Sequence, residues 1–100
     1  MSKIFARFLG FTQGQPLTYD AAVLMLERHS PLSRSEARVL VLDYLGVSRD
    51  EVSEQLDISI ETIRTYWKRM YRKTRCRTRT DIRSWLEATL QQELGGIDMA

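Results

Sequence analysis

From Tyr19 onward, apolar side chains recur every three or four residues, the spacing of helices buried along one face. Polar residues mark where those helices begin. A Ser or Thr followed three residues later by an acid supplies partners for the free amides of a first turn. Ser33 with Glu36, Ser48 with Glu51 and Thr78 with Asp81 have this form, and Ser59-Ile60-Glu61-Thr62 has the capping Ser without the reciprocal acid. The pattern predicts helices from about Arg34 to Leu45, Arg49 to Leu56, Ile60 to Arg75 and Arg79 to Leu94. Gly46 is suited to the left-handed conformation that ends the first of these. Thr18 caps an earlier helix from about Tyr19 to His29, rich in apolar residues from Ala21 to Leu26 and stopped by Ser30-Pro31.

Only Asp57 and Ile58 separate Leu56 from Ser59, so the two flanking helices must cross at a steep angle with Ile58 plugging the corner. This is a helix-turn-helix arrangement. At ~100° per residue, the helix after the turn places Ile63, Trp67, Met70 and Thr74 on one face. Glu61, Arg64, Thr65, Lys68 and Arg72 fall on the opposite face, and Thr62, Tyr66, Arg69 and Lys73 run along one edge. A helix that is apolar on one side and lined with long cations on the other is shaped to enter a groove of DNA.

The last helix carries a wide apolar stripe: Ile82, Trp85, Leu86, Thr89, Leu90 and Leu94. Part of it is expected to pack on the domain and part to form a self-association surface through Ile82, Trp85, Leu86, Leu90 and Leu94. On that expectation Leu90→Asp leaves the fold intact and weakens DNA binding by a dimer. Residues 1–31 read as an extension with one helix, not needed for groove recognition, in which Ile4, Phe5, Phe8, Leu9 and Phe11 cover a hydrophobic patch. The expected division is extension 1–31, DNA-binding unit 32–94 and tail 95–100, with a chain starting at Ser30 still folded.

Composition narrows the class further. A chain of 100 residues with 43% hydrophobic content supports one core, and only 2 Pro and 5 Gly argue for an all-α domain over a turn-rich β fold. The net charge of +2 conceals a division. Residues 60–84 hold nine Lys or Arg against Glu61 and Asp81, so that window is +7 and the remainder −5. Such a concentrated basic block fits a polyanionic partner, and the interleaved apolar residues argue against a disordered basic tail.

Cys76 and His29 are each the sole residue of their type, so neither an intrachain disulfide nor a Cys/His metal site is expected. The apolar run from Ile4 to Phe11 is short, broken by Arg7 and without a small-residue cleavage site, against a signal peptide or a membrane span. The expectation is a cytoplasmic protein. One His, no nucleophile beside a base and no paired carboxylates in a motif set enzymes aside, and no cofactor is expected.

Over Leu32 to about Leu86 the sequence resembles the LuxR/GerE-type helix-turn-helix of bacterial transcription regulators. Leu32, Ser33, Glu36, Val39 and Leu40 match the opening pattern, and Gly46-Val47-Ser48 matches a Gly-x-Ser. Glu51 to Ser59 follows the second helix and turn; Thr62-Ile63-Arg64, Met70, Lys73 and Arg79-Thr80-Asp81 follow the third helix and its exit. The chain departs from the pattern at Ser35, Tyr66 and Thr74-Arg75-Cys76.

The resemblance implies a tetrahelical domain whose third helix enters the major groove and whose fourth pairs two protomers across a two-fold axis. It implies base contacts from Arg64, Thr65 and Lys68, and phosphate contacts from Thr62, Tyr66, Arg69, Arg72 and Lys73 with Ser48 and Arg49. Ser59, at the start of the groove helix, joins this DNA-binding set. Cys76 stands where the family closes its core with an apolar residue and is expected to act as a small hydrophobe. The family's frequent receiver or ligand-binding domains need more than 31 residues, so the chain resembles the stand-alone members.

The expected function is sequence-specific recognition of a pseudo-palindromic double-stranded operator by a homodimer, with RNA polymerase or another regulator as a further contact. Two rivals stand beside it. One is the promoter-reading region of a sigma factor, disfavoured by the apolar helix after Asp81; the other is an antiactivator that docks on another regulator through Tyr19 to His29 or Leu86 to Leu94.

Overall fold

A computed structural model describes residues 17–98, with side chains described through Glu93. The cluster from Ile4 to Phe11 lies outside them. Five helices follow in order: α1 Tyr19–His29, α2 Arg34–Tyr44, α3 Arg49–Leu56, α4 Ile60–Thr74 and α5 Arg79–Asp98. The all-α expectation holds, and α5 runs one turn beyond the predicted end at Leu94.

Every predicted start is capped. Thr18, Ser33, Ser48 and Ser59 each accept a backbone N–H from the first turn of their helix, and Thr78 Oγ1 accepts from Asp81 N at 3.0 Å. Only Ser33–Glu36 closes as a reciprocal box, with Ser33 N donating to Glu36 Oε1 at 2.9 Å. The Asp81 carboxylate instead accepts from Arg77 N at 3.3 Å. Gly46, at φ 88°, follows α2 in the conformation expected of it.

The corner between α3 and α4 is compact. Asp57 takes the left-handed conformation (φ 54°, ψ 50°), one that Asp tolerates. Ile58 N donates to Ser53 O at 3.1 Å, and Ser53 Oγ returns a bond to Ile58 O. Ile58 itself is half-buried against the core, as its role of corner plug requires.

The core is built around α2, from which Ala37, Val39, Leu40, Val41 and Leu42 are all within 1% of complete burial. Helices α1, α3 and α4 all pack on it. Leu17, Tyr19, Ala22, Val23 and Leu26 bring α1 into the same core, and α1 packs against α5 as well as α2. Glu27 accepts from Arg34 Nε at 3.0 Å and His29 Nδ1 lies 3.5 Å from Glu93, so polar contacts reinforce both seams. Helix α1 therefore shares one hydrophobic core with the residues after it, and the expected boundary at residue 31 runs through that core. Of the apolar run from Ala21 to Leu26, Ala22, Val23 and Leu26 face the core while Leu24 is exposed, and a free-standing extension cannot bury such side chains alone.

Candidate nucleic-acid interface

Helix α4 is two-sided in the way its sequence predicts. Ile63, Trp67 and Met70 are buried, with 6% or less of their surface exposed. Glu61, Arg64, Thr65, Lys68, Arg69 and Arg72 all face solvent. Ser59, exposed at the N-cap, accepts from Thr62 N at 3.0 Å and its hydroxyl also meets Thr62 Oγ1 at 2.9 Å. Thr65 Oγ1 donates to Glu61 O at 3.1 Å, which leaves its methyl group and oxygen lone pairs for a groove. Thr74, on the inner side, donates to Met70 O at 2.8 Å.

Arg64 Nη1 lies 3.0 Å from Glu61 Oε1, and both side chains are more than half exposed. An exposed pair of this kind contributes little, so Arg64 is free to exchange Glu61 for a base edge. Ser48 and Arg49 sit exposed at the start of α3, where Ser48 Oγ accepts from Glu51 N at 3.2 Å. Tyr66 is half-buried against the core and presents only part of its ring to the surface.

Three cations of the basic block have structural partners. Lys73 Nζ donates to Glu36 Oε1 at 2.8 Å, and the Glu36 side chain is 2% exposed against 33% for Lys73. The Arg79 guanidinium lies over the Trp67 ring, 3.6 Å from its centre, while Nη1 donates to Asp43 Oδ1 at 2.9 Å. Arg83 sits 4.6 Å over the Tyr44 ring with Asp43 at 4.0 Å. These residues clamp α2 to α4 and α5. The sequence could not show these partners, because Glu36 and Lys73 lie 37 positions apart and Asp43 and Arg79 lie 36 apart.

Lys73, expected to meet a phosphate, is held by Glu36 in this structure. Burial pushes the Glu36 carboxyl up, but the bonds from Lys73 and from Ser33 N outweigh that effect and hold it below its ordinary value. A carboxyl so lowered stabilises the fold above its unfolded pKa of about 4.3, and the contribution is lost as pH falls through the lower folded value. Lys73→Met strands the carboxylate. The expected cost near neutral pH is about 2 to 4 kcal/mol, below the ~3 to 5 for a fully buried pair because Lys73 is partly exposed. Denaturant unfolding should show the loss shrinking in acid, as the stranded Glu36 takes up a proton. Equal midpoints for Lys73→Met and the original chain at neutral pH would return Lys73 to the set of free cations.

The self-association stripe is placed differently from expectation. Ile82, Leu86 and Leu90 are completely buried within the protomer, Trp85 is half-buried, and the Leu94 side chain lies outside the description. Helix α1 packs on α5, so the buried stripe faces the protomer's own core. Among the described side chains of α5 the exposed positions are Thr80, Asp81, Ser84, Glu87, Ala88, Gln91 and Gln92. Tyr44 OH donates to Glu87, and burial followed by that carboxylate pushes the phenol up to about 12. Cys76 is half-buried against the core with Sγ 3.7 Å from Thr74 O, in keeping with a small hydrophobe.

Known proteins resemble this chain over the same elements. Residues 30–86, more than half of the chain, match the family described as bacterial regulatory proteins, luxR family. The HTH-type transcriptional regulator MalT of Yersinia pestis (strain Pestoides F) is 42% identical over 48 residues, covering 48% of this chain and 5% of that protein. The MalT of Cronobacter sakazakii (strain ATCC BAA-894) shares the same identity over the same lengths. The chain thus spans about one-twentieth of these relatives' length. No solved structure matches. The family match covers the caps of α2 to α5, the tight corner and the two-sided helix just described, and on it the chain belongs to the luxR family of bacterial regulatory proteins.

Proposed function

We propose that the protein is a cytoplasmic transcription regulator that reads the major groove of double-stranded DNA with α4, two copies sharing a pseudo-palindromic site. The observation that carries this is the division of α4. Its aliphatic and aromatic face is locked in the core, and Arg64, Lys68 and Arg72, each one turn from the next, project from the other side. A helix held from behind fixes where its donors leave the backbone, so binding orders the side chains and not the helix itself.

In this reading Arg64, Thr65 and Lys68 meet base edges, while Thr62, Arg69 and Arg72, with Ser48, Arg49 and Ser59, meet phosphates. Tyr66 adds its exposed edge. Ile82, Leu86 and Leu90 cannot pair two copies, so pairing falls to the outward side of α5, where Ser84, Ala88 and the exposed part of Trp85 allow close approach of a second helix.

Base and phosphate contacts fail differently. Losing a base contact costs about 1 to 3 kcal/mol and relaxes preference at one base pair, whereas losing a phosphate contact weakens all sequences and lowers the salt slope by about one. Genome-wide mapping of bound DNA supplies the operator. Titrations of operator and scrambled duplexes at several salt concentrations should then show Arg64→Ala shrinking the ratio of specific to non-specific affinity. Arg72→Ala should leave that ratio nearly unchanged, and saturation should read two protomers per operator. An equal loss on both duplexes for Arg64→Ala would remove it from the base readers.

A further inference from the structure

Arg75 occupies a backbone conformation that its side chain makes costly. At the C-cap of α4 it holds φ 59° and ψ 29°, the left-handed region where a Cβ crowds the following carbonyl and where glycine is the usual occupant. Among the described residues the other left-handed positions are taken by Gly46 and Asp57, both suited to it. Stopping the helix does not call for arginine: the backbone N–H performs the capping, donating to Arg72 O at 3.4 Å, and any non-proline residue supplies that group.

Packing does not call for it either. The Arg75 side chain is exposed, and none of the ion pairs among the described residues uses Arg72, Arg75 or Arg77. Their neighbours Lys73 and Arg79 are drawn inward to Glu36 and Asp43. Three cations without an acidic partner are thus gathered within six residues at the end where α4 turns away from its exposed cationic face. The negative end of the helix dipole attracts cations, but Arg72 and Lys73 already occupy the last turn.

We infer that Arg75, supported by Arg77, is a phosphate clamp on the DNA strand beside the groove that α4 enters. The inference rests on the reading of α4 as the groove helix. A guanidinium suits the task, because its planar fork of donors grips two oxygens of one phosphate where an ammonium acts as a point charge. The strained backbone fixes the direction in which the side chain leaves the helix end, so the chain gives up stability at this position to hold a cation against DNA.

The probe is a short duplex of mixed sequence, on which phosphate contacts dominate binding. The full-length Arg75→Gly variant is expected to melt about 4 to 8 °C higher than the original chain, through relief of the backbone. It should bind the duplex several-fold more weakly, with a salt slope lower by about one. Arg75→Lys should keep the slope and show no gain in melting temperature. An unchanged salt slope in Arg75→Gly, with normal binding by the original chain, overturns the clamp alone; a lower melting temperature overturns the claim that arginine is held there against stability. Salt-independent or absent binding by the original chain overturns the groove reading and the clamp with it.

Discussion

Leu90→Asp is expected to unfold the protein rather than to separate a dimer. The substituted side chain would sit at a position with no exposed surface, in the core that α5 shares with the rest of the domain. Removing a buried leucine costs about 2 to 5 kcal/mol, and burying an unpaired carboxylate in its place adds several more. A small domain has about 5 to 15 kcal/mol in all. Circular dichroism should show loss of the cooperative melt, with light scattering reporting aggregation of the exposed stripe. A melt like that of the original chain, together with weaker self-association, would place Leu90 in an interface between copies. This reverses the effect that the apolar stripe of α5 suggests when the stripe is read without its neighbours.

The second large effect is expected from deleting residues 1–29. The deletion removes Leu17, Tyr19, Ala22, Val23 and Leu26 from the core and uncovers the surfaces of α2 and α5 on which α1 packs. Burying each of the four large side chains is worth about 1.5 to 3 kcal/mol, and the uncovered partner surfaces lose a comparable amount. The sum rivals the whole stability of a domain this size. The shortened chain should lack a cooperative thermal transition or associate through the bared apolar face, by calorimetry and light scattering. A cooperative melt within a few degrees of the full chain, with the salt dependence of DNA binding retained, would show that residues 30–100 fold alone and that α1 is an accessory.

The two-sided pattern of α4 was legible because a helix period converts spacing directly into faces, and the faces seen in the structure are those the spacing predicts. Helix starts were legible for a related reason. A cap is made within four residues, so Thr18, Ser33, Ser48, Ser59 and Thr78 announce it locally. The tight corner at Asp57 and Ile58 follows from the few residues available to make it.

What the chain's own pattern determined, then, is the list of helices, their buried faces and the helix-turn-helix at their centre, together with the concentration of positive charge on α4 and its exit. Tertiary structure decided which faces meet. An apolar stripe states that a helix must be covered and carries no mark of what covers it; α1 takes that place on α5. A lysine states a charge and not its partner, and the pairing of Lys73 with a buried Glu36 far away in sequence exists only once α2 and α4 are side by side. Both outcomes depend on contacts between distant segments, whose geometry is set by the packing of the whole core rather than by any local spacing.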